Sequence, residues 1–359
     1  MSKPTRPRQH RVYQPGKRHM ELMPSVSRSS GLEKGGDALR DYKVQEEYRA
    51  FIQGKVDAYW EEFPYGKPSV NEKQRDEVRG NILILFRKLR EGILSTKRSD
   101  SFALEVYEVS LHLSVVFNSP AQTTSIISHL VPDLYQRAPE LPQTVSWAAL
   151  ISAFHFLVAA YPSQSRCSEH LALLPSSFLP KDAPPHKWLS DVMRALRSRN
   201  FARFESLTKD DKIKATFPID ESNILPENMH SGLRPMKDKT RHSPGCLPLV
   251  ALLTLVDSLR QRVRETTWSV IRSAYRELHC RTLDVSGQPL VPSPTGDWLH
   301  RTLGLRSTIT KVLNDDPEGT EEEVDSAVSK WLEEKCSRGE VRVKEGSEGC
   351  WIICKVRPA

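Results

Sequence analysis

The residues with the widest chemical range are 11 histidines and six cysteines, and their spacing points away from catalysis. Cys167, Cys246, Cys280, Cys336, Cys350 and Cys354 are scattered and contain no C-x-x-C pair. That distribution fits reduced thiols better than a disulfide framework. Cys350 and Cys354 stand four apart on an expected strand and so share a face, but no second pair at zinc spacing accompanies them. Packed thiols are the expectation, and no metal ligand is assigned. His112 and His155 fall on hydrophobic helices, where a satisfied core or boundary histidine is the ordinary role. The sequence has no P-loop, no dinucleotide-binding glycine motif after a strand, no H-E-x-x-H and no nucleophile elbow. The reading is therefore a chain without catalytic residues, cofactor or small-molecule substrate.

Charge is the remaining chemical signal. The net charge of +7 is concentrated at the N-terminus, where residues 1–40 hold nine Lys or Arg against three acids. Such a basic, Pro-, Gly- and Ser-rich stretch is expected to be a disordered tail, residues 1–38, because it lacks the apolar surface to order itself. Scattered cations can still hold phosphate by counterion release, which makes Arg6, Arg8, Arg11, Lys17 and Arg18 nucleic-acid-binding candidates. A second set lies near the C-terminus: Lys330, Lys335, Arg338, Arg342, Lys344, Lys355 and Arg357. Opposing them, Glu321, Glu322, Glu323, Asp325, Glu333 and Glu334 would repel a phosphate backbone unless they face away.

The elements that must position this second set are legible. Thr320 is a capping residue before an acidic first turn, and Val324, Val328, Trp331 and Leu332 form an apolar stripe. After Arg338-Gly339 the pattern alternates over Val341–Glu345, turns at Gly346–Gly349 and resumes as Cys350–Val356, which predicts a β-hairpin. Helix followed by hairpin suggests a winged helix over residues 286–359.

Upstream, residues 39–285 read as amphipathic helices. The first is expected from Asp37 to Trp60 and the second from Asn71 to Glu91, with Gly92 as its stop. Residues 101–117 should form a deeply buried helix. Helical hairpins are expected at 101–117 with 122–135, at 145–161 with 167–174, and at 185–198 with 201–207. Their succession predicts an all-α fold of stacked, TPR-like helical hairpins ending in the winged helix and its small β-hairpin. The Pro-rich stretch 218–247 is expected to be an exposed loop. Leu247–Leu259 restarts a helix that continues or is followed by another to Leu278, with Arg260, Arg262, Arg264, Arg272 and Arg276 on a charged outer face.

Stacked helical hairpins ending in a winged helix resemble the PCI domain, shared by the proteasome lid, the signalosome, initiation factor 3 and mRNA-export scaffolds. Phe102-Ala-Leu-Glu-Val-Tyr-Glu-Val-Ser-Leu-His-Leu-Ser-Val-Val116 with Ser128-His-Leu-Val-Pro-Asp-Leu-Tyr135 is similar to a helix pair of the GANP-type branch. Trp188-Leu-Ser-Asp-Val-Met-Arg-Ala-Leu-Arg-Ser-Arg-Asn-Phe-Ala-Arg-Phe204 is similar to that family's helix, turn and Phe-rich helix. Val263–Tyr275 with Trp298-Leu-His-Arg-Thr-Leu-Gly-Leu305 resembles its approach to the winged helix. Pro132 and the long 218–247 stretch depart from the pattern.

The resemblance implies a non-catalytic scaffold in nuclear mRNA processing or export. Its implied partners are other PCI or complex subunits together with RNA or single-stranded nucleic acid. A structural subunit of the proteasome regulatory lid or a related PCI complex is the alternative. No apolar run reaches the ~18 residues of a membrane helix, so the expected location is nucleus or cytoplasm, without a membrane partner.

Overall fold

The computed structural model describes residues 20–26, 38–64, 71–216, 247–280, 282–283, 289–290, 293–305, 321–347 and 349–355. The chain divides into two compact units between Ser110 and Leu111, inside a helix. Residues 218–246 of the expected loop, residues 1–19 and 27–37 of the basic tail, and Thr320 lie outside the described residues. Residues 20–26 of the expected disordered tail are instead packed, with Met20 and Met23 buried and the Lys88 ammonium donating to the Met23 carbonyl at 2.7 Å, because this short stretch is richer in apolar side chains than the rest of the tail. Among the described residues no helix is long and apolar enough to cross a membrane.

The first unit is built on α1 (Tyr42–Glu62), α2 (Glu72–Thr96) and the first part of α3 (Ser101–Val116). α1 begins at Tyr42 rather than in the expected stretch from Asp37, and Asp41 caps it, its carboxylate accepting from the Lys43 and Val44 amides at 2.7 and 3.3 Å. Tyr48, Ile52, Tyr59 and Trp60 from α1 meet Ile82, Phe86, Leu89 and Ile93 from α2 in a buried core. Arg98 is 6 % exposed, sandwiched between the Tyr42 and Phe102 rings at 4.4 and 4.1 Å. Its charge is matched by Glu46 at 2.9 Å and Asp100 at 2.8 Å. A guanidinium desolvated in this way stays favourable because its donors and both faces are occupied.

Gly92 does not end α2, which runs on to Thr96 and stops at Lys97 in the left-handed conformation. The glycine serves packing instead. A Cβ there would lie 2.6 Å from the Leu39 carbonyl oxygen, so the missing side chain lets the short helical turn Ala38–Arg40 close onto α2.

The second unit holds the hairpin helices in the expected order. α4 (Pro120–His129) follows the end of α3, then come α5 (Val145–Ala160) with α6 (Ser165–Leu173), and α7 (Pro184–Arg197) with α8 (Phe201–Leu207) and α9 (Asp210–Thr216). The helix expected over 122–135 is broken: a π-helical turn, Leu130–Leu134, carries Val131 at φ −123° and ψ 116° beside Pro132. Proline lacks the amide proton and disfavours helical geometry in the residue before it. α5 is buried on most of its circumference. Phe154 stacks on Trp188 with centroids 5.5 Å apart, and the Trp188 indole donates to the Leu207 carbonyl at 2.9 Å, joining α5, α7 and α8.

α10 is one continuous helix, Leu247–Ala274, and the region expected to extend it to Leu278 is strand β1 (Glu277–His279). β2 (Thr282–Leu283) and β3 (Pro289–Leu290) pair antiparallel. Next come α11 (Pro294–Leu303), capped by Ser293, and α12 (Glu321–Ser337). The expected hairpin is present as β4 (Val341–Val343) and β5 (Cys350–Ile353). It gains β1 as a third strand, so the antiparallel sheet has the order β1-β5-β4, with Leu278 opposite Trp351 and His279 opposite Cys350. The fold is thus mostly helical with a small antiparallel sheet at its C-terminal end.

The packing role of Gly92 predicts opposite outcomes for two alanine substitutions. Gly92→Ala should lower the unfolding free energy by about 1–3 kcal/mol through the clash with backbone. Gly54→Ala in α1, where the new methyl meets nothing within 4 Å, should raise it by about 0.5–1 kcal/mol. Urea denaturation of the two variants checks both signs.

Candidate functional site

α10 carries a row of arginines whose guanidinium groups turn inward, contrary to the expected charged outer face. Arg260 is 3 % exposed and donates to the Thr208 carbonyl at 2.8 Å and to the Thr208 hydroxyl at 3.1 Å, with Glu205 at 3.3 Å. Arg264 donates to the carbonyls of Leu303 at 2.9 Å and Gly304 at 2.6 Å. Arg272 donates to the Cys354 carbonyl at 2.8 Å. Thr208 and Gly304 are the C-caps of α8 and α11. Their final carbonyls have no partner within their own helices, and a cation there also meets the negative end of the helix dipole. Only Arg262 and Arg276 of the five remain exposed.

Below this row α10 enters the C-terminal core. Trp268, Ile271 and Leu278 pack with Leu299, Leu303, Val328, Trp331, Leu332, Val341 and Ile353. Trp268 meets Trp331 edge to face at 4.6 Å and donates its indole N–H to Glu340 at 2.5 Å. Lys335 is fully buried: its ammonium lies 2.8 Å from Glu265 and 3.9 Å from Glu340, and 5.2 Å from the Trp331 ring centre. Val328, Trp331 and Leu332 therefore form the expected inward stripe of α12, while the side chain of Val324 lies outside the described residues.

The cations proposed from sequence are spread over this module rather than gathered. Lys335 belongs to the core, and a buried, paired ammonium does not reach a phosphate. Arg338 is half-exposed and held by Glu334 at 2.5 Å, with Glu265 at 3.8 Å. Lys344 is bound to Glu277 at 2.9 Å, which raises the lysine pKa and lowers that of the carboxyl. Lys330, Arg342 and Lys355 are exposed. Arg6, Arg8, Arg11, Lys17, Arg18 and Arg357 lie outside the described residues.

A separate open cavity of about 640 Å³ lies between the α3–α4 turn, α5 and α10, lined by Ser119, Thr123, His155, Ser258, Arg262 and Glu265 among others. His155 shares a hydrogen bond with the Thr124 hydroxyl at 2.9 Å, and His170 shares one with Ser152 at 2.8 Å. Burial lowers His155 and His170 to about 4, the charge of His155 adding to the shift at His170, and burial lowers His112 to about 3. All three imidazoles are neutral at neutral pH; His155 and His170 are hydrogen-bonded, and His155 fills the boundary role expected of it, whereas the buried Nε2 of His112 has no hydrogen-bond partner among the described residues, contrary to the satisfied role expected there.

Cys350 and Cys354 do not form a pair. Four residues of extended strand span about 13 Å, so sharing a face does not bring the two sulfurs together. Two titratable neighbours of Cys350 come instead from β1: Glu277 lies 3.9 Å from its sulfur, and His279 is its cross-strand partner. No family model, no curated protein and no solved structure matches this chain.

Two outcomes follow from these buried groups. Arg264→Ala strands two buried carbonyls and should cost about 2–3 kcal/mol in denaturant unfolding, with Arg264→Lys restoring only part of the loss because it cannot donate to both in a fork. The three depressed histidines give stability that is present above the unfolded histidine pKa of about 6.5 and lost as pH falls toward their folded values. Each should remove up to about 1.4 kcal/mol per pH unit in that window, since the unfolded chain takes up the protons. Unfolding free energies measured at intervals from pH 7 to pH 4 should fall, and His155→Gln should flatten the slope.

Proposed function

We propose that this protein is a non-catalytic scaffold of PCI type, with stacked helical hairpins leading into a winged helix, that assembles a multiprotein complex in nuclear mRNA processing or export. The observation that carries the reading is the continuity of α10. A single 28-residue helix packs against the hairpin helix α5 at one end and supplies Trp268 and Ile271 to the core of the helix-and-sheet module at the other. Such a helix couples a repeat array rigidly to a terminal module, which suits a surface for subunits better than a hinged catalytic cleft.

RNA contact is proposed through the exposed cations Lys330, Arg342 and Lys355, together with the basic N-terminal stretch. The sheet offers Arg342 on its outer face, since Val341, Leu278 and Ile353 occupy the opposite, core-facing side. Contacts of this kind are electrostatic and backbone-directed, and they position nucleic acid without reading sequence.

The alternative, a structural subunit of the proteasome lid or a related PCI complex without nucleic-acid contact, draws support from one observation. The terminal stretch 286–359 holds ten Lys or Arg against 13 Asp or Glu, and Lys335, Arg338 and Lys344 are already paired with internal carboxylates, so little cationic charge is left there for a phosphate backbone.

Fluorescence-anisotropy binding of single-stranded RNA at several salt concentrations separates the two. The scaffold reading expects affinity that falls with salt, and loss of about 0.7 from the log–log slope for each phosphate contact removed by Arg342→Ala or Lys355→Ala. Absence of binding by the full chain at low salt would favour the structural-subunit reading.

A further inference from the structure

On the outer face of the sheet, Glu277, His279 and Cys350 bring three different metal-ligating atoms together, all within 4.8 Å of one another. The pairing of the strands causes this. Amide bonds from Cys280 to the Gly349 carbonyl and from Ile353 to the Arg276 carbonyl, both 2.9 Å, fix the hydrogen-bonded positions of the β1–β5 ladder. His279 and Cys350 therefore face each other at a non-hydrogen-bonded position, where cross-strand side chains approach most closely. Glu277, two residues before His279, projects from the same face.

We propose that these three side chains bind a single divalent transition-metal ion, zinc by the character of its donors. Imidazole, carboxylate and thiolate are the three ligand types zinc accepts, with bonds of about 2.0–2.3 Å. Tetrahedral geometry at those lengths places neighbouring donors roughly 3.3–3.7 Å apart. The Glu277 carboxylate oxygen lies 3.7 Å from the His279 Nε2 and 3.9 Å from the Cys350 sulfur, so two edges of the tetrahedron already stand within a few tenths of an ångström of that span. The His279 side chain is 64 % exposed, so water or a donor from a partner can reach the site as a fourth ligand.

A cation already answers this negative site. Lys344 reaches across β5 to place its ammonium 2.9 Å from the same Glu277 oxygen, and this bond holds the carboxyl ionised below its ordinary pKa. Metal binding displaces the ammonium and releases the Cys350 thiol proton to solvent, with the thiolate supplying the metal–sulfur bond. Lys344 is thus a built-in competitor, and the bound ion would cross-link edge strand β1 to β5.

The test is titration of the metal-free full-length protein with cobalt(II), read by absorption, then displacement by zinc. The expected result is one cobalt per chain with a near-ultraviolet thiolate-to-cobalt band that zinc abolishes. Cys350→Ser should remove the band, while Cys280→Ser leaves it in place. Because Cys350 is buried and its replacement could unfold the sheet, His279→Ala at an exposed position provides the independent check, and it should weaken zinc binding at least on the order of tenfold. Lys344→Met should strengthen binding several-fold. No thiolate band in the wild type, a band that survives both Cys350→Ser and His279→Ala, or weaker binding in Lys344→Met would overturn the assignment.

Discussion

Backbone carbonyls at the ends of helices have to find donors, and in the second unit α10 supplies them to α8 and α11. Arg260 closes α8, Arg264 closes α11, and Arg272 binds the carbonyl that follows β5. Burying a guanidinium is costly alone, but here the donors meet acceptors that would otherwise be orphaned at helix C-termini. Gly304 shows how tightly one joint is built. Its φ of +57° suits glycine, and a Cβ there would lie 2.8 Å from the Glu205 carboxylate that also faces Arg260. The placement of α11, and with it the core beneath the sheet, follows from this one helix.

The same arrangement explains what the sequence disclosed and what it hid. Helices with a strong apolar period were readable, as were the β4–β5 hairpin with its glycine turn and the inward Trp331 and Leu332 of α12. The sequence pattern places the arginines on an outer face because charge is usually solvated, and nothing local marks an arginine that meets a carbonyl 40 or 52 residues away. Their spacing at 260 and 264 shows that they share a side of the helix, but only tertiary packing decides which side is covered. Gly92 illustrates a similar limit: a glycine near a helix end resembles a stop, whereas its actual role is set by Leu39. β1 escaped because three residues following a long helix carry too little periodicity to register as a strand, and the Glu277–His279–Cys350 cluster depends on that pairing.

For function, the decisive physical contrast is between cations committed to internal carboxylates and cations left in water. Lys335 is wholly committed and Lys344 largely so, while Lys330, Arg342 and Lys355 are available. The proposed scaffold role takes such a module to work through shape and packing, with phosphate contact as an added, salt-sensitive contribution. Neutral His155 at the α5 cavity and His170 of α6, which bonds to Ser152 of α5, act as structural donors and acceptors.

The most direct measurement is affinity purification of the tagged full-length protein from the cells that express it, with and without nuclease, followed by mass spectrometry. The account predicts co-purification of mRNA-processing or export factors, part of it lost on nuclease treatment. Recovery of proteasome-lid or signalosome subunits, unchanged by nuclease, would contradict the proposed RNA-linked role and assign the chain to a structural subunit instead.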